Sequence, residues 1–153
     1  MTSNGGKYGD GIVFSVTKSG SEKVLHDFGS GTDGQTPASG LTMYKGILYG
    51  TTSAGGKDAG GTVFSITTGG KERVVHSFYN SASENGTMPE GGLTALNGLL
   101  YGTTGTGGCD DNGTVFSMTT SGRVKMLYKF RCNDSKTDGS SPDQSLVAVK
   151  GVL

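Results

Sequence analysis

Two histidines, a scatter of carboxylates and one cysteine pair are the side chains here that could do chemistry. His26 and His76 stand fifty residues apart in the same local sequence, and Tyr128 takes that place a third time. A histidine pair can ligate a metal or carry protons. A position that accepts His or Tyr and alternates with Val74 and Phe78 reads first as a packing ring whose polar tip meets a backbone group. Asp10, Asp58, Asp110, Asp111, Asp33 and Asp138 fall in glycine-rich loops. Carboxylates beside free carbonyls suit a hard divalent cation such as Ca²⁺. Such a cation would polarise an ester or phosphoester and activate water, with His26 or His76 as the base. The same aspartates are also ordinary turn formers, and their spacing matches no EF-hand. There is no Gly-x-Ser-x-Gly elbow, no His-Glu-x-x-His and no Walker loop. The glycine-rich run GGKDAGG (55–61) precedes no helix, so it is a poor phosphate cradle. Cys109 and Cys132 lie in loops that open on the same side of one unit. They are either a disulfide, as in an oxidising compartment, or two free thiols. A zinc site would lack partners.

The elements that position these residues come from a repeat. Phe14, Phe64 and Phe116 sit in Gly-x-Val-Phe-Ser contexts 50 and 52 residues apart, and Phe28, Phe78 and Phe130 keep the same intervals. Pro37, Pro89 and Pro142 each close an Asp/Asn-Gly-x-x-Pro turn. Leu41, Leu93 and Leu146 follow, then Gly46, Gly98 and Gly151. The units run approximately 1–47, 48–99 and 100–153. Each predicts four short strands, seen best in the second unit at 48–52, 62–67, 73–78 and 92–96. Asn97-Gly98 is a two-residue hairpin signal into the next unit. Four antiparallel strands per unit, repeated radially, make a β-propeller blade. The second strand is apolar on both faces, as in a sheet sandwiched between neighbours. Tyr49, Thr51, Thr52, Tyr101, Thr103 and Thr104 would then sit on innermost strands and line a channel with hydroxyls, where propellers commonly bind ligands.

Composition agrees. Of 153 residues 29 are glycine, interleaved with Val, Ile, Phe, Thr and Tyr, which predicts an all-β chain of short strands and sharp turns. Thirteen basic and thirteen acidic residues leave no net field to favour nucleic acid. The balance hides a split: lysines and arginines gather in the turns of one rim, aspartates in the loops of the other. No apolar run is long enough to span a membrane, and no leader is visible in this chain.

The pattern LYGTT-x-x-GG, GTVFS, DG-x-x-P, GL covers essentially the whole chain. It resembles the GloVer-type tandem repeat of bacterial surface and secreted proteins, and more loosely the blades of quinoprotein-type and kelch-type propellers. The resemblance implies a propeller-like array and an extracellular or cell-surface setting, and it brings no activity with it. Three blades are too few to close a ring, so a homodimer completing six blades is expected, the alternative being a piece of a longer array. The rival architecture is a β-trefoil, with three four-stranded units in one closed chain. The functional expectation is a non-catalytic scaffold or binding module for a small molecule or glycan. A metal-assisted hydrolase on the acidic rim or central channel is the alternative.

Overall fold

The computed structural model describes residues 1–79, 85–132 and 138–153. The loop charges Glu84, Asp134 and Lys136 lie outside them. Eleven strands are described: β1 (Ile12–Val16), β2 (Glu22–Asp27), β3 (Gly34–Pro37), β4 (Thr42–Tyr44), β5 (Ile47–Gly55), β6 (Ala59–Ile66), β7 (Glu72–Tyr79), β8 (Thr94–Leu96), β9 (Leu99–Thr104), β10 (Thr114–Met118) and β11 (Val124–Lys129). A 3₁₀ turn, Cys109–Asp111, precedes β10. Every strand pairing is antiparallel.

Three sheets result. β1 and β2 form the first. The second runs β3-β5-β6-β7, with β4 also paired to β5. The third runs β8-β9-β10-β11. β3 falls where the sequence reads a turn, while the other strands lie close to their expected places, and the second and third sheets each borrow an edge from the preceding unit. The Asn97-Gly98 hairpin sets Leu96 opposite Leu99, so the last strand of unit two becomes the edge of the third sheet. The Leu-Tyr-Gly-Thr-Thr strands β5 and β9 therefore lie inside their sheets, and β4 and β8 take the edge. The described strands close no barrel, so the β-trefoil alternative, which needs one, does not describe this chain.

The motif residues have visible local reasons. Gly50 pairs with Phe64, and Gly102 with Phe116. A Cβ on Gly50 would stand 2.6 Å from the Phe64 ring, so the glycine is the seat of the phenylalanine. Each second strand carries a bulge just before that phenylalanine, at Val13/Phe14, Val63/Phe64 and Val115/Phe116. A bulge repeated at one position bends and twists each sheet alike.

The core lies between sheets. Val13, Phe28, Phe64 and Ile66 fill the space between the first and second. Tyr49, Val63, Phe78, Leu93, Leu100, Phe116 and Met118 fill that between the second and third. The third-strand phenylalanine of one sheet meets the second-strand phenylalanine of the next. Phe28 and Phe64 lie 4.9 Å apart edge-to-face, and Phe78 and Phe116 lie 5.4 Å apart. At the sheet edges, the Thr42 hydroxyl donates to the Leu93 carbonyl and that of Thr94 to the Leu146 carbonyl, each about one repeat ahead. The sheets thus stack in series through one recurring contact. Among the described residues no helix is long and apolar enough to cross a membrane.

Candidate functional site

The two histidines stand at the two junctions between sheets. In the first, His26 Nε2 lies 3.1 Å from Asp33 Oδ2, and Asp33 Oδ1 accepts from the Gly29 amide at 3.0 Å. The imidazole stands edge-on to Phe28 at 4.7 Å. Glu72 arrives from the next sheet, and its Oε1 is buried with no hydrogen-bond partner. Burial, and then the nearby Asp33 charge, push this carboxyl up to about 7, against the opposing pull of Arg73.

The second groove repeats the first with its charges removed. His76 stands 4.7 Å from Phe78 in the same edge-on pose. Asn85 replaces Asp33 and Val124 replaces Glu72. With Phe78, Tyr79 and Met126 they line a cavity of about 150 Å³. Burial holds the His76 imidazole below the usual histidine range, and a hydrogen bond to the Gly122 backbone partly offsets that. The third histidine position, Tyr128, packs on Phe130 at 5.1 Å, and its hydroxyl donates to Asp138 at 2.7 Å.

The six aspartates do not converge. Asp10 accepts from the Gln35 side chain at 3.1 Å, and Asp33 belongs to His26. Asp111 accepts from the Gly107 amide. Asp138 accepts from Tyr128 and from the Arg131 and Gly139 amides, and these bonds hold it below the usual carboxylate range. Asp110 is exposed in the 3₁₀ turn with positive φ, and Asp58 lies in the loop joining β5 to β6. Among the described residues no three of His, Cys, Asp or Glu come together as a metal-ion site. Three of these loop aspartates, Asp33, Asp111 and Asp138, act as turn caps.

The hydroxyls expected to line a channel are inside the protein. Thr51, Thr52, Thr103, Thr104 and Tyr49 are buried, and Tyr101 is partly so. Thr52 and Thr62 share a hydrogen bond at 2.8 Å, and Thr104 and Thr114 repeat it at 2.8 Å. Thr51 reaches across to the Gly91 carbonyl at 3.2 Å, and Thr103 to that of Gln144 at 3.3 Å. Thr52 and Thr104 thus tie neighbouring strands of one sheet, and Thr51 and Thr103 reach a loop carbonyl outside it, because their strand is interior, not an edge. Cys109 and Cys132 form a disulfide with Cα atoms 5.1 Å apart.

Sequence reasoning missed Glu72 as a site residue. Its signal was present: Glu22 and Glu72 share a repeat position that holds Val124 in the third unit.

No curated protein and no solved structure matches this chain. A repeat-family model matches residues 1–153, in keeping with the recurrence of the phenylalanine and threonine contacts above: the chain belongs to the Gloeobacter/Verrucomicrobia repeat family.

Proposed function

We propose that this chain is a non-catalytic scaffold and binding module of a bacterial surface or secreted protein, built as part of a β-propeller. One observation carries the reading: residues able to do chemistry perform the same structural task unit after unit. The histidines pack on phenylalanines, Thr51 and Thr103 reach across to the backbone of Gly91 and Gln144, and three of the six aspartates cap turns. Face-to-face stacking of antiparallel sheets, one repeat per step, supports the propeller. The Cys109–Cys132 bond supports an oxidising, extracellular setting. A small molecule or glycan would be held at the rim loops, where carbonyls and hydroxyls face solvent. The metal-assisted hydrolase alternative lacks a converging ligand set among the described residues.

A glycan array, run beside ester and phosphodiester turnover assays with and without chelator, tests this. Binding without turnover is the expected result. Sustained hydrolysis abolished by chelator and by Asp58→Asn would overturn it.

A further inference from the structure

Between the second and third sheets the side chains leave a space they do not fill. Strands β7 and β11 face each other across it. His76, Phe78 and Tyr79 come from β7, Val124 and Met126 from β11, and Asn85 from the segment before β8; together they line a cavity of about 150 Å³. His76 and Phe78 stand two residues apart and so share one face of their strand, as do Val124 and Met126. The floor is apolar: Phe78 is 1% exposed, and its ring lies 5.4 Å from that of Phe116.

Size sets the first limit on an occupant. A cavity of about 150 Å³ accepts a benzene-sized ring. Water beside Phe78, Val124 and Met126 finds few partners, so an apolar group that displaces it gains affinity. Charge sets the second limit. Burial keeps the His76 imidazole neutral at neutral pH, so none of the six lining residues carries a charge. An anion or a cation would lose its water there and meet no counter-charge. A sugar fits no better, since its ring carries a hydroxyl on nearly every carbon and this wall has too few partners for them. Polarity sets the third. One nitrogen of His76 donates to the Gly122 backbone. In a neutral imidazole the other nitrogen is an acceptor.

The junction between the first and second sheets is furnished differently. There Glu72 stands for Val124, Asp33 for Asn85 and Gly29 for Tyr79, and Asp33 Oδ2 takes up His26 Nε2 at 3.1 Å. One frame thus carries charge at one junction and a neutral cavity at the next. The cavity belongs to these side chains and not to the repeat as such.

We propose that this cavity binds a small neutral phenol, its ring on Phe78 between Val124 and Met126 and its hydroxyl donating to the second nitrogen of His76. The Met126 thioether adds a sulfur–aromatic contact. The edge-on pair of His76 and Phe78, 4.7 Å apart, gives the ring an aromatic wall. The site lies between sheets and apart from the rim loops, so it goes beyond the scaffold-and-binding reading. A chain that binds a glycan and ignores phenol keeps that reading and loses this one.

Titrating phenol and benzene into the isotope-labelled whole chain, followed by amide chemical shifts, tests it. Phenol should saturate shifts at His76, Phe78, Val124 and Met126 with a dissociation constant on the order of 0.1–1 mM, as suits so small a ligand. Benzene leaves water more readily but lacks the hydrogen bond, and should bind about five- to tenfold more weakly. His76→Phe should erase that preference while benzene still binds. Val124→Glu, which installs the residue of the first junction, should weaken both ligands by about tenfold or more. No saturable shift at roughly ten times the expected constant, shifts centred on the rim loops, benzene binding as tightly as phenol, or a preference that survives His76→Phe would each overturn the proposal. The phenol–benzene comparison uses the unaltered chain, so a variant that fails to fold leaves the test standing.

Discussion

Glu72 is the residue whose protonation should show in stability. Its folded pKa of about 7 lies above the ordinary carboxylate value of 4.5. The folded chain therefore holds a proton there that the unfolded chain releases. The stabilisation is fully present below pH 4.5 and is lost as pH rises through 7. Glu72→Gln should flatten this fall and leave the variant more stable than the parent at pH 8. The gain is roughly 1–2 kcal/mol once solvent screening of a half-buried side chain is allowed for. Urea unfolding at pH 4.5 and pH 8 measures it. His76 has the opposite sign: its imidazole is held low, so its contribution is present above the ordinary histidine pKa and lost as pH falls below it. His76→Tyr, the residue the third unit uses, should remove that acid-side loss. Neither effect was legible beforehand. Repeat spacing located His76 on its strand, but a pKa depends on what the neighbouring sheet brings, and Glu72 comes from the sheet after His26.

Strand positions were legible because alternating apolar residues and glycine turns are local signals, and the Asn97-Gly98 hairpin is the clearest. The interior placement of β5 and β9 was not, because period and turn type do not say which strand takes a sheet edge. That one ambiguity moved Thr51 and Thr103 from a channel wall to an inter-sheet clamp. Two element-scale outcomes follow. Gly122→Ala places a Cβ 2.2 Å from the Val75 carbonyl at a φ of +93°, and should cost about 2–4 kcal/mol. Gly69→Ala, with only the Thr67 hydroxyl nearby at 3.7 Å and no positive φ, should cost under ~1 kcal/mol by the same denaturation assay. The Cys109–Cys132 bond closes a separation of 23 residues in the chain. Replacing both cysteines with alanine should lower stability by about 3 kcal/mol, read from the urea midpoint under non-reducing conditions.

At the scale of the molecule, the threefold pattern was fully legible, since a fifty-residue recurrence of Phe, Pro, Leu and Gly survives any uncertainty about pairing. The recurring phenylalanine contact has a dynamic consequence. The sheet containing β5, β6 and β7 is covered on both sides, while β1–β2 and β10–β11 are each covered on one. A stack coupled only to nearest neighbours frays from its ends inward. Backbone amides of Val63 and Phe64 should therefore exchange with deuterium slowest, and those of Ser15 and Leu127 fastest among strand residues. Sub-global opening of this chain should then run from its outer sheets toward the middle one, ahead of the global transition.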